Sequence, residues 1–300
     1  MPQKPLTRRG PIPATVQAAV QAGTLVTLLS AVLLAAGCAT TSNRQTTTQA
    51  LGDILAGTQR SEANRARDQY RHPKETLLFF GIRPEMRVLE VWPEPGWYTE
   101  VIAPLVRDRG KYYAGVIAPD PASRNITNRL EAFRGKLASR PDLYGQVEVV
   151  TLPTDGSDVL PPDSLDMIVT FRNLHDWMAR DQASHVFATL YKALKPGGVL
   201  GVVDHRGPHG TPQEPRAQDP QARNGYVDED YAVRLIEAQG FKLEAKSQVN
   251  SNPRDTKDYP QGVWTLPPTY RLGEQDREKY AAIGESDRFT LKFVKLRKQR

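Results

Sequence analysis

The chain has 300 residues, 25% charged and 39% hydrophobic, which excludes a disordered or fibrous protein and allows a substantial core. Its 40 Lys and Arg against 34 Asp and Glu give a net charge of +6, and three of the basic residues, Lys4, Arg8 and Arg9, lie in a leading segment without acids. The remainder is only mildly basic, which excludes a nucleic-acid binder, and "KFVKLRKQR" reads as a last strand with solvated ends.

The first element is an address. A basic head precedes "TLVTLLSAVLLAA" (24–36), an uncharged run too short for a comfortable membrane span, and Gly37 and Cys38 follow. "LAAGC" resembles the lipobox of bacterial lipoproteins. The resemblance implies a signal peptide over 1–37 and a lipid on Cys38, the only cysteine, which would hold the protein to the membrane without a spanning helix. Ala39 follows where an Asp would imply inner-membrane retention, so the expected location is the outer membrane, facing the periplasm. Residues 38–60, rich in Thr, Gln and Ser, read as a flexible tether, leaving 61–300 as the folded domain.

From Ser61 the pattern turns helical, with a break at Pro73; Arg65, Arg67, Asp68, Arg71 and His72 form its polar side, as a solvated face or as the cover of a ligand crevice. Buried-strand runs then alternate with helices. The strands are "RVLEVW" (87–92), "YYAGVIA" (112–118), "QVEVVTL" (146–152), "SLDMIVTF" (164–171) and "GGVLGVVDH" (197–205), the last entered through a Pro196-Gly197-Gly198 turn. Between them, "YTEVIAPLVRDRG" reads as a helix bent at Pro104, followed by helices in "SRNITNRLEAFRGKLAS" and "ARDQASHVFATLYKAL". "DEDYAVRLIEAQG" adds a helix capped by Gly240, and "FKLEAKSQV" and "DRFTLKFVKL" supply two last strands. Such alternation implies a doubly wound, mostly parallel seven-stranded sheet, with ligands at the carboxyl ends of the strands. Insertions at 206–226 and 250–287 have the length of lids or binding loops.

"VLEVWPEPGWYTE", "SLDMIVTFRNLHDW" and "ALKPGGVLGVVDH" occur in that order. Together they resemble the class I S-adenosylmethionine-dependent methyltransferases over roughly residues 75–250. "FRNLHDWM", "GVWTLPP" and "IGESDRFTLKFVK" resemble, more narrowly, exported bacterial proteins described as predicted methyltransferases. The resemblance implies a Rossmann-like methyltransferase fold with a long insertion before the last, antiparallel strand. It implies S-adenosylmethionine as cofactor, with Glu90 near its amino group and Gly96 as the last glycine of the loop. Trp92 and Glu94 stand where earlier glycines belong. The ribose acid expected at the end of the second strand has no match at Val116 or Ile117, and Asp120 comes late; Asp155 would meet the adenine, and Asn173 lies beside the methyl-transfer point.

Glu94 either faces the carboxylate end of the cofactor, where like charges at ~4 Å and an effective dielectric of ~20 repel by at most ~4 kcal/mol, or points to solvent. Trp92 and Trp97 either wall the ligand or cap the core. Past the fourth and fifth strands stand Arg172, Asn173 and His175, then Asp204 and His205. A histidine beside a carboxylate serves as a general base near neutral pH, so His175 or His205 is the candidate base and Asp204 its orienting acid. No metal set is expected, because His205 and His209 are four apart in a Gly/Pro loop rather than on a helix. Two functions remain open: a lipid-anchored methyltransferase acting on a small molecule or envelope component, and an accessory lipoprotein that binds a ligand in the same crevice without chemistry.

Overall fold

The computed structural model describes Met1 and residues 45–120, 122–208 and 218–297. The chain divides into Met1–Thr46, of which only Met1, Gln45 and Thr46 are described, and Thr47–Arg300, which carries the fold. The signal segment and Cys38 lie outside the described residues. Among the described residues no helix is long and apolar enough to cross a membrane.

The expected tether is shorter than its composition suggests. Residues 45–56 form a helix, α1, and Leu51 is fully buried in the core. Arg60, also buried, makes a two-pronged pair with Asp68 at 2.6 and 2.8 Å. Polar composition misled here because few apolar contacts, made through Leu51 and its neighbours, are enough to dock a helix.

The predicted helix over 61–81 is three short ones, α2 (Glu62–Arg65), α3 (Asp68–Arg71) and α4 (Pro73–Phe80). His72 breaks the run in the left-handed region at φ 38°, consistent with the exclusion of a residue before proline from the helical region. The strand–helix alternation follows: β1 (Arg87–Val91), α5 (Thr99–Val106), β2 (Lys111–Val116), α6 (Arg124–Ser139), α7 (Pro141–Tyr144), β3 (Glu148–Thr151), β4 (Leu165–Phe171), α8 (Leu174–Ala179), α9 (Ala183–Ala193), β5 (Leu194–His205), α10 (Glu229–Glu237), β6 (Phe241–Ser247), α11 (Arg277–Ile283) and β7 (Arg288–Lys295). Side chains start three of the helices: Ser61 accepts from the Asn64 amide at α2, Ser123 from the Ile126 amide at α6, and Asp228 from the Tyr231 amide at α10. Pro104 lies inside α5 and cannot donate to the Glu100 carbonyl; Gln59 Nε2 donates to that oxygen instead at 3.3 Å.

The seven strands lie in the order β3–β2–β1–β4–β5–β7–β6, parallel except that β7 runs against both neighbours. This is the doubly wound architecture expected from the sequence. Pro196-Gly197-Gly198 is not a turn before β5. It is a bulge within it, since Leu194 pairs with Leu165 and Val199 with Met167. Successive β1 residues face opposite ways: Val88 packs with α4 and α5, while Leu89 and Val91 pack with α8 and α9. The second insertion carries a tight helical turn at Gly262–Thr265 and then α11.

Candidate active site

A crevice of about 230 Å³ opens at the carboxyl ends of β1, β4 and β5, where doubly wound sheets bind ligands. The turn after β1 forms one wall, Phe171 to Asp176 the floor, and Val263 to Thr269 of the second insertion another wall. Asn64, Arg67 and Arg71 reach in from the N-terminal helices, so the polar side of that segment covers a crevice rather than facing solvent alone.

Glu90 lies at the crevice with its carboxylate turned toward α5. Tyr112 donates to Oε2 at 2.5 Å and Thr99 at 3.3 Å. Burial pushes its pKa up to about 8 against the opposing effect of these hydrogen bonds. Trp92 adopts φ 47°, the left-handed conformation for which a glycine is suited. The turn thus keeps glycine geometry without the glycine, at a backbone cost of ~1–3 kcal/mol. Trp92 is 7% exposed and packs edge-on to Trp177 at 5.7 Å, so core packing offsets that strain. Gly96, at φ 91°, does not line the crevice; a Cβ there would come within 3.2 Å of Phe133 on α6.

Glu94 neither points to solvent nor has a normal hydrogen bond. Its side chain is 1% exposed, both oxygens are unpartnered, and Arg129 is 3.9 Å away. Burial raises its pKa, opposed by its own amide, by Arg129 and by the amide of Ile117. The carboxylate therefore leans toward the end of β2, where the sequence lacks an acid. Asp120 and Asp155 are not brought to the crevice. Asp120 accepts from the Ala122 amide at 2.9 Å, and the exposed Asp155 accepts from the Ser157 amide and hydroxyl at 3.0 and 2.7 Å. Short polar side chains in Pro- and Gly-rich loops satisfy neighbouring amides, and both acids are used that way. Asn173 lines the crevice and donates to the Val91 carbonyl at 2.8 Å, bracing β4 against β1.

The structure brings His175, Asp204 and His205 together. Asp204, fully buried, bonds His175 Nδ1 at 2.9 Å through Oδ1 and accepts the His205 amide at 2.7 Å. His205 Nδ1 meets Ser286 Oγ at 2.5 Å, and the two imidazoles are 5.2 Å apart. Burial lowers the affinity of His175 for its proton, but the charge and hydrogen bond of Asp204 outweigh it, so its pKa is raised. Burial, the charge of His175 and nearby Arg288, Arg172 and Arg71 push His205 well below the ordinary value. The pKa values of two neighbouring histidines are thereby pushed apart, the arrangement that suits an acid and a base. The ligand atoms of His175, Asp204 and His205 lie within 4.8 Å of one another, as a metal would require. Both Asp204 oxygens already accept hydrogen bonds, and the arginines beside His205 oppose a cation.

Sequence reasoning missed Ser286, Glu285 and Arg288. They come from the end of the second insertion and the first residue of β7, which pairs His205 with Arg288 across the sheet. Glu285 accepts from Arg67 at 2.5 Å, from Arg71 at 3.3 Å and from Arg288. Burial alone would raise its pKa, but these arginines hold it far below the usual carboxylate range.

The sequence matches no family model and no curated protein. Solved structures resemble the fold. An S-adenosylmethionine-dependent methyltransferase from Aquifex aeolicus is 18% identical, with 77% of this chain and 93% of that one covered and a TM-score of 0.50. Phosphoethanolamine N-methyltransferase 2 of Haemonchus contortus, in complex with S-adenosyl-L-methionine, is 15% identical over 76% and 53%, with a TM-score of 0.51. The fold is that of the class I S-adenosylmethionine-dependent methyltransferases. The cyclase SpnF shares it too, at 16% identity over 75% and 80% and a TM-score of 0.52, so the methyltransferase fold leaves activity to the residues of the site.

Proposed function

We propose that the chain is an S-adenosylmethionine-dependent methyltransferase acting on a small molecule or envelope component. The observation that carries this reading is Glu94, a buried and unpartnered carboxylate facing the crevice beside the end of β2. An acid there suits ribose hydroxyls, so a turn residue after β1 replaces the absent acid of β2. Glu90 would lie near the cofactor's amino group. When bound, the cofactor supplies a methyl group on a positively charged sulfur, an electrophile that needs only an aligned nucleophile.

The histidine pair prepares the acceptor. With His205 Nδ1 donating to Ser286, Nε2 is left to take the acceptor's proton, and the low pKa keeps it unprotonated at neutral pH. Asp204 holds His175 by its Nδ1 and favours its charged form, and charge on His175 opposes protonation of its neighbour.

Calorimetric titration with S-adenosylmethionine tests the reading. Binding is expected, with Glu94→Gln weakening it about tenfold and erasing any preference over the 2′-deoxyribose analogue. Absence of binding at millimolar ligand defeats it. One observation favours the second reading, a ligand-binding protein without methyl transfer: Asp120 and Asp155 stay outside the crevice. That reading gains if other ligands bind and this one does not.

We further propose that Cys38 carries a lipid and that the protein is exported and held in the bacterial envelope, with the outer membrane, on its periplasmic side, as the expected place. "LAAGC" supports this. Cys38→Ala is expected to move the protein from the membrane to the soluble fraction.

A further inference from the structure

Four arginines crowd one side of the crevice. Arg67 and Arg71 come from the N-terminal helices, Arg172 follows β4, and Arg288 begins β7. Glu285 serves three of them, and Arg172 has no ion pair among the described residues. The other buried acid nearby, Asp204, is occupied by the histidines. Four guanidinium groups thus face two carboxylates. Two of the four are enclosed, Arg71 at 4% and Arg288 at 3% exposure, and Arg67 and Arg172 are partly buried.

The donors are unbalanced as well. Arg67 Nη2, Arg71 Nη2 and Arg288 Nε are buried and donate to nothing. Buried N–H groups without partners are rare in native proteins, and excess buried charge of one sign is costly. Among the described residues no further acid lines this side of the crevice apart from Asp176, which is partly exposed and lies 3.9 Å from His175, so salt bridging with them does not remove the surplus. A bound oxyanion would correct charge and donors together, since guanidinium groups match the oxygens of phosphate and carboxylate in a fixed fork. The arginine of β7 is also the residue paired with His205, so a molecule held here lies against the histidine pair.

We infer that the acceptor is an oxyanion-bearing small molecule, its phosphate or carboxylate group held by Arg67, Arg71, Arg172 and Arg288 beside His175 and His205. Naming the bound molecule as the acceptor rests on the methyltransferase reading; the oxyanion seat does not. Glu94, the carboxylate assigned to the ribose, has Arg129 rather than any of these four as its cationic neighbour.

The test uses the full chain with inorganic phosphate, against chloride at matched ionic strength, followed by calorimetry and thermal melts. Saturable phosphate binding and a raised melting temperature are expected. Arg172→Gln is expected to weaken phosphate binding at least tenfold, while its own melting temperature without phosphate stays level or rises, because the arginine removed had no carboxylate partner. Arg172→Lys, which keeps the charge and loses the fork, is expected to fall between. No saturable binding to the wild type, or unchanged binding by Arg172→Gln, overturns the seat. A second arm titrates S-adenosylmethionine in saturating phosphate. Undiminished affinity supports the acceptor assignment; a tenfold loss gives the arginines to the cofactor's own carboxylate and overturns it. Phosphate binding without any S-adenosylmethionine binding defeats the methyltransferase reading and leaves the seat standing.

Discussion

The two sides of the crevice are built in opposite ways. The acidic side, Glu90 and Glu94, comes from five consecutive residues at and after the end of β1; Glu90 is bonded by Tyr112 and Thr99, while Glu94 lacks a hydrogen-bond partner. The basic side comes from the N-terminal helices, the end of β4 and the start of β7, and its guanidinium groups share too few acids. A ligand that meets both sides finds buried carboxyl groups at one end and guanidinium charges at the other. The difference also teaches that a short local stretch can carry half a site while the other half exists only after folding.

The comparison breaks most readily at Glu285. Replacing it with alanine leaves Arg67, Arg71 and Arg288 enclosed without their shared acid, and a loss of about 3–5 kcal/mol in urea unfolding is expected. A loss below ~1 kcal/mol would mean that water reaches these arginines and that no enclosed surplus exists.

Glu90 tests the acidic side through pH. It keeps its proton in the folded chain to about pH 8, against an ordinary value of 4.5. The folded state therefore binds more protons than the unfolded state between these values, and stability falls as pH rises across that window. Glu90→Gln removes this contribution. Relative to wild type it should gain toward pH 8 by roughly a few kcal/mol, at ~1.4 kcal/mol per unit, and gain little near pH 4. Parallel curves of the two proteins would show that Glu90 is solvated and charged throughout.

The smallest effect sharpens the boundary of the site. Asp120→Asn and Asp155→Asn are expected to change S-adenosylmethionine affinity by less than about twofold, since both side chains serve their own loops. A tenfold loss from either would show that its loop swings into the crevice on binding.

The sheet was legible in the sequence because buried runs of Val, Leu and Ile alternate with amphipathic stretches, and because "LKPGG" and "FRNLHDW" mark the ends of two strands. His175, Asp204 and His205 were legible for the same reason: parallel neighbours β4 and β5 must end side by side. Glu94 was visible as a departure, but its direction was not, since one turn can aim a side chain at either strand. Glu285 and its neighbour Arg288 were hidden because a residue 218 positions away from Arg67, as Glu285 is, gives no periodic signal. Helix α1 and the residues after it were hidden by their own polarity: Gln59 and Arg60 look like linker residues until the Glu100 carbonyl and the Asp68 carboxylate claim them.

The placement of β7 has a consequence for assembly. It is the last strand in the chain, yet it lies between β5 and β6. During synthesis β6 has no neighbour in the sheet until Arg288–Lys295 has emerged, and the same few residues deliver Glu285, Ser286 and Arg288. Closing the sheet and charging the crevice are therefore one late event. A chain cut short before Glu285 would lose two strands rather than one, and would release the N-terminal arginines from the acid that holds them.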